Sequence, residues 1–371
     1  MGKWEMVPFD IAISDETKNG TKIMKENYLQ NGRYPIIDQG KELIAGYSNK
    51  KDGIYENIPA IIFGDHTRVI KYIDMPFFLG ADGVKLLKSK ISEIDYKYLY
   101  YYLTTERIPN TGYNRHFKWL KEVCIPLPPL EVQRQIADVL DRASALIEKR
   151  KAQIENLDLL VKSQFIVMFG DPVTNPMGWE VRKLKDIASS RLGKMLDAKK
   201  QTGEHRRKYL ANFNVQWFNF NIERLNEMDF NAKDRAEFRL ELGDLLICEG
   251  GEVGRTAIWQ GEIDECYFQK ALHRIRCNKD IINPVFLAWV FFFRAKATGF
   301  RELASISTIA HLTGEKLDIV PILLPPLPLQ NEFAAFVECV EAQKVRLKKS
   351  FMLLESNYKS LMQKCFRGEM F

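Results

Sequence analysis

A chain of 371 residues and 43.1 kDa is too long for one ordinary hydrophobic core, and at about 150 residues per domain it divides into two or three. Hydrophobic residues at 46%, charged residues at 27% and a mean hydropathy of −0.25 exclude disordered and fibrous classes. The net charge of +6, from 54 basic and 48 acidic residues, is compatible with a nucleic-acid partner without demanding one.

The N-terminal stretch from Met1 to Asp10 is charged and mixed, with no apolar run ahead of a small-residue cleavage site. The most apolar run, Val285 to Phe293, falls well short of the roughly 20 residues that span a bilayer and reads as a buried helix. Six cysteines (Cys124, Cys248, Cys266, Cys277, Cys339 and Cys365) are scattered without tight spacing, as in a reducing compartment. The expected location is the cytoplasm, with no membrane partner.

In chain order the pattern gives a globular segment over 1–128, a long helix over 129–170 and a turn-rich linker over 171–178. A second globular segment over 179–325 and a second long helix over 326–371 follow. The order is a repeat. Leu-Pro-Pro-Leu occurs at 127–130 and again at 324–327, an offset of 197 that also matches Gln133 with Gln330, Ala137 with Ala334 and Phe169 with Phe366. Upstream, Trp4-Glu5 matches Trp179-Glu180 at an offset of 175, so the second copy carries about 22 more residues in its globular part.

After each proline pair a heptad seam begins. Ile136, Leu140, Ile147, Ile154, Leu157 and Val161 mark the first, with Arg150 in its polar slot. Phe333, Val337, Val340, Leu347, Phe351, Leu354 and Tyr358 mark the second, with Lys344 as the interruption. Each helix of about 40 residues spans roughly 60 Å, too long to bury its stripe within one small domain. The two are therefore expected to pack on each other; a bundle core inside one domain is the alternative. An antiparallel pairing carries the two globular parts as a pseudo-twofold duplication, a shape suited to duplex DNA.

The run Pro126-Leu-Pro-Pro-Leu-Glu-Val-Gln-Arg-Gln-Ile-Ala-Asp-Val-Leu140, with its counterpart Leu324 to Gln330, resembles the helical region of specificity subunits of type I restriction-modification enzymes. Gly243 to Ala257 and Gln269 to Arg276 resemble one subtype of that family's target recognition domain. Gly32 to Ile37, Ile61 to Arg68 and Ala81 to Val84 resemble another. The resemblance covers essentially the whole chain and implies an α+β fold: two similar α/β target recognition domains joined by two long antiparallel coiled-coil helices. It implies that each domain reads one half of a bipartite site in double-stranded DNA. The helices would set the gap and dock two copies of the modification subunit, with restriction subunits completing the complex. S-adenosylmethionine, ATP and magnesium would then belong to those partners, and none to this chain.

Candidate contacts follow from chemistry. In the second segment, Gly250 and Gly251 allow close backbone approach beside Arg255, and a glycine-bearing hairpin turn is the alternative. The spacing is not a dinucleotide fingerprint. Lys270, His273 and Arg274, with Arg276, alternate with apolar residues and would line a groove or a solvated strand face. Lys199, Lys200, Arg206 and Arg207 anchor the most basic cluster, suited to phosphates. In the first segment Lys41, Tyr47, His66, Arg68 and Lys85 occupy the matching stretches. No phosphate-binding loop and no Asn/Asp-Pro-Pro-aromatic string is present. Asp10, Glu16 and Lys18 are too cramped for a nuclease centre, and Cys248, Cys266, Cys277 and His273 lack a paired-cysteine spacing for zinc. A non-catalytic reader of DNA is the expectation. The alternatives are a specificity polypeptide of a related methyltransferase system outside type I, or a coiled-coil scaffold.

Overall fold

The computed structural model describes residues 4–197, 201–298, 300 and 312–371. It divides into two compact units, Met1–Ala152 with Lys348–Phe371, and Gln153–Leu347.

The first unit opens with β1 (Glu5–Pro8), a single helical turn α1 (Phe9–Ala12) and β2 (Ile13–Asp15). Strands β3 (Tyr34–Ile37), β4 (Gly46–Ser48), β5 (Ala60–Gly64), β6 (Ile70–Ile73), β7 (Phe78–Leu79) and β8 (Val84–Ser89) follow. Helix α2 (Tyr96–Thr105), the short α3 (Phe117–Leu120) and β9 (Cys124–Leu127) lead into the long α4 (Leu130–Phe169). Strands pair as a four-stranded sheet in the order β2-β8-β5-β6, a three-stranded sheet β4-β3-β7 and a two-stranded ribbon β1-β9. Strand β5 is buried along its whole length because both faces are covered, which is why Ala60-Ile-Ile-Phe-Gly64 reads as a continuous apolar run. Ile61 and Phe63 face a core with Phe9, Leu99, Leu103 and Phe117, and Ile62 faces one with Ile37, Phe77, Leu79 and Leu86. On α2, Tyr98 and Tyr102 sit one turn apart, and their hydroxyls donate to the Pro126 and Cys124 carbonyls of β9.

The second unit repeats this plan with β10 (Glu180–Lys183), β11 (Ala188–Leu192), β12 (Arg206–Leu210), β13 (Val215–Gln216), β14 (Asn219–Phe220) and β15 (Asn226–Asp229). A short α5 (Ala232–Phe238), β16 (Leu245–Cys248), β17 (Thr256–Ile258), β18 (Tyr267–Phe268) and β19 (Leu272–Cys277) continue it. Helices α6 (Pro284–Ala297) and α7 (Gly314–Asp318), strand β20 (Pro321–Leu324) and the long α8 (Leu327–Arg367) complete it. Its sheets run β11-β19-β16-β17, β15-β12-β18 and β10-β20, each the topological match of a sheet in the first unit. The match holds at the level of single residues. Glu5 opposes Leu127 in the first ribbon and Glu180 opposes Leu324 in the second, so both sequence offsets, 175 and 197, reappear as strand register. The β13-β14 hairpin and α5 have no counterpart in the first unit and account for part of the extra length. The apolar run at Val285 to Phe293 is the buried body of α6.

In the first unit, Ile136, Ala137 and Leu140 near the start of α4 share a core with Tyr358, Leu361 and Cys365 near the end of α8. In the second, Val161, Phe165 and Phe169 at the end of α4 share a core with Phe333, Val337 and Val340 at the start of α8. Within each unit, then, the head of one long helix lies against the tail of the other. The remaining stripe residues Ile147, Ile154, Leu157, Leu347, Phe351 and Leu354 are half-buried. Lys344, the polar interruption, is buried and paired with Asp158 of α4 at 2.6 Å and Glu341 at 2.7 Å. Gly170 ends α4 at a φ of +74°, and a side chain there would meet Pro176 at 2.7 Å, so only glycine fits this helix stop.

Candidate nucleic-acid interface

Four connections meet at one edge of the first unit, built around Asp65 and Gln39. Asp65 is buried at the end of β5; its carbonyl accepts from the His116 amide at 2.8 Å, and its carboxylate accepts from the Phe117 amide at 2.8 Å. Its own amide donates to Gly83, in the turn between β7 and β8. Gln39, after β3, accepts from the His66 amide through Oε1 and donates to the Asp82 carbonyl through Nε2. The turns at 38–42, 65–69 and 80–83 and the segment 109–116 are thereby locked together.

On that edge the His66 and Tyr113 rings stack at 4.6 Å with planes 7° apart, and His66 Nδ1 donates to the Asn114 carbonyl at 3.2 Å. Tyr113 is 88% exposed, the most of any described large apolar side chain. Lys41, Arg107 and Arg115 are also exposed. Arg68 sits at a φ of +63° and its guanidinium donates to the Ile108 carbonyl, holding the segment after α2. Lys85 pairs with Asp15 at 2.9 Å and lies over the Phe117 ring. Burial works to raise the Asp15 carboxyl, but Lys85 and Thr17 outweigh it and hold the group below its ordinary range. Tyr47 lies on β4, exchanging backbone hydrogen bonds with Leu29. Of the first-segment candidates, His66 and Lys41 therefore present themselves outward, while Arg68 and Lys85 are committed to internal partners.

In the second unit several candidate residues have partners within the chain. The run Glu249 to Arg255 is the turn of the β16-β17 hairpin, with Gly251 at φ +73° and Gly254 at φ +83°. Arg255 does not project from it. The guanidinium donates to the Asn212 carbonyl at 2.9 Å and side-chain oxygen at 3.2 Å, and Asn212 in turn donates to the Gly250 carbonyl. Glu252 accepts from Trp217 Nε1 at 2.8 Å and from Lys296 at 2.7 Å, tying the turn to the β13-β14 insertion and to α6. The backbone approach at Gly250 and Gly251 thus serves Asn212 of the same chain.

The basic residues around β19 do not share one strand face. Lys270 precedes the strand and is exposed, whereas His273 and Arg274 point to opposite faces of a sheet covered on both sides. His273 is 1% exposed, beside Glu249 at 3.9 Å, and burial pushes the imidazole below its ordinary pKa. Arg274 donates to the Glu237 and Arg239 carbonyls, and Arg276 pairs with Asp244 and Glu241. A sheet packed between two cores has to satisfy such groups internally, which the alternating pattern of one strand does not reveal. Arg206 is exposed on β12, and Arg207 pairs with Glu265 at 3.3 Å. Lys199 and Lys200 lie outside the described residues. Tyr113, Asn212 and Glu252 carried no sequence signal of their own, since each acts through a partner far away in the chain.

No helix among the described residues is long and apolar enough to cross a membrane. Two copies of one sheet-and-helix scaffold, each ending in a long helix that begins at a proline pair, define a duplicated DNA-specificity architecture. A model of the type I restriction modification DNA specificity domain matches residues 3–156 and 176–351, and the chain belongs to that family, as a specificity subunit with two target recognition domains. A type I restriction enzyme specificity subunit of Haemophilus influenzae is 23% identical over 91% of this chain and 87% of the relative. One of Escherichia coli is 28% identical, over 40% of each chain. The solved S subunit from M. genitalium shares the fold at a TM-score of 0.60 and 17% identity, covering 98% of this chain and 96% of that one.

Proposed function

We propose that this chain is the non-catalytic reader of a type I restriction-modification complex in the cytoplasm, each recognition domain reading one half of a bipartite target in double-stranded DNA. The long helices set the unread gap and dock modification subunits, two in number. Those partners bind S-adenosylmethionine and methylate adenine, while restriction subunits bring ATP- and magnesium-dependent translocation and cleavage. The observation that carries this reading is a scaffold repeated to the residue in strand register, whose turns nevertheless differ. The β5-β6 turn in one copy presents His66, whereas the β16-β17 turn in the other is glycine-rich and closed by Arg255. Equal frames with unequal edges suit two different half-sites. The test is binding of the purified full-length chain, with its modification subunit, to duplexes carrying both halves, one half or neither. Affinity should fall stepwise and decline steeply with salt. Equal affinity for all duplexes would contradict the reading.

A further inference from the structure

We propose that Tyr113, braced by His66, is the stacking element with which the first recognition domain engages a base step of its half-site; this deepens the reading above and rests on it. A tyrosine that is 88% exposed at the surface is by itself unremarkable, because single apolar side chains are often left in water. This one is positioned. The imidazole of His66 lies parallel beneath it at 4.6 Å, and that imidazole is itself fixed by its bond to the Asn114 carbonyl. The segment carrying Tyr113 is anchored by the His116 and Phe117 amides, which both donate to Asp65, and the turn carrying His66 by its amide donating to Gln39. The ring therefore reaches DNA with little conformational freedom left to lose, which favours binding. Arg115 next to it and Lys41 on the neighbouring connection supply the cations that hold a phosphate backbone against such a ring. Aromatic rings presented this way stack on bases or wedge into a step.

The comparison between copies sharpens the case. Asp65 and Glu249 occupy matching places: the carbonyl of each follows the pair Gly64–Val84 or Cys248–Leu272, and accepts from His116 or Leu312 respectively. The next residue is His66 in the first copy and Gly250 in the second, and glycine has no ring on which to brace an aromatic side chain. Among the described residues the stacking pair is found in the first domain alone, as a determinant of one half-site should be.

The test uses the full-length chain in complex with its modification subunit and duplexes in which either half-site is scrambled. Tyr113→Ala should lower the preference for one intact half-site about tenfold, leave the preference for the other unchanged, and keep the thermal midpoint of wild type. Tyr113→Phe should retain the preference, because the ring stays; Tyr113→Leu should not. An alanine variant that keeps both preferences, or loses both equally, overturns the proposal. A wild-type complex that prefers neither intact half-site would instead overturn the underlying reading of function, and this inference with it.

Discussion

Gln133 and Gln330, 197 residues apart in the chain, make the same three hydrogen bonds. Gln133 accepts from the Asp95 amide and donates to the Glu93 and Pro128 carbonyls; Gln330 accepts from the Asn283 amide and donates to the Ile281 and Pro325 carbonyls. Both are buried. Asp95 and Asn283 are the N-caps of α2 and α6, so each glutamine fastens the start of a long helix to the start of its own domain's helix. Truncation to alanine strands a buried amide and two carbonyls, at a cost of about 2 kcal/mol. Gln133→Ala and Gln330→Ala should each lower stability by similar amounts in chemical denaturation, and Gln133→Glu, which sets a buried carboxylate against two carbonyl oxygens, should cost at least as much as alanine. An unchanged midpoint would show that these bonds do not hold the junction.

Arg255 and Asn212 form a second such pair, found in one copy only. Because the guanidinium acts by holding Asn212, and Asn212 by holding Gly250, the two alanine substitutions should be non-additive, with a coupling of about 1 kcal/mol. Both should weaken reading of the same half-site. Additive effects, or loss of reading only in Arg255→Ala, would instead place the guanidinium on DNA.

The helix seam has one buried charge. Burial disfavours the Lys344 ammonium, yet Asp158 and Glu341 hold its pKa above the ordinary value. Asp158 and Glu341 are half exposed, so removing the cation leaves no uncompensated buried charge behind. Lys344→Met should therefore be nearly as stable as wild type, and Lys344→Ala less so, since it also leaves a void beside Val340. At the same seam Phe165→Ala should cost about 4 kcal/mol, because the ring is fully buried against Phe169, Phe286 and Phe333. Thermal denaturation of the three variants would distinguish these costs, and a lysine-to-methionine variant as impaired as the alanine would contradict the ranking.

His273 gives the second unit a pH dependence. Burial lowers the folded-state pKa below the ordinary value of 6.5, with Glu249 and Asp318 opposing it more weakly. A base with a depressed folded pKa binds protons more readily once unfolded, so stability present above about pH 6.5 is lost as pH falls below it. The thermal midpoint should drop between pH 7.5 and pH 5.5, and the drop should shrink in His273→Leu. A drop of equal size in that variant would assign the effect to other groups.

The duplication, the helix starts and the helix seam were legible in the sequence because they rest on local signals: a proline pair, a glutamine at fixed spacing and a period of 3.5. Even the extra length of the second copy was visible, though not that part of it forms the β13-β14 hairpin whose Trp217 donates to Glu252 in the glycine turn. Contact residues were less legible. Lys85, Arg255, Arg274 and Arg276 looked like cations for DNA, yet each meets a carboxylate or carbonyl that the fold brings near from elsewhere in the chain. Tyr113 became notable only when the 46 residues between it and His66 folded to place the imidazole beneath it. Periodicity reports which face a residue takes, and it does not report what occupies that face.

The most direct measurement is single-molecule methylome sequencing of a host lacking other methyltransferases, after co-expression of this chain with its modification subunit. The expected result is a split motif, methylated adenine in both halves, separated by a gap of constant length. A contiguous motif, or a complex that assembles and leaves the genome unmethylated, would contradict the account of two domains each reading half of one site.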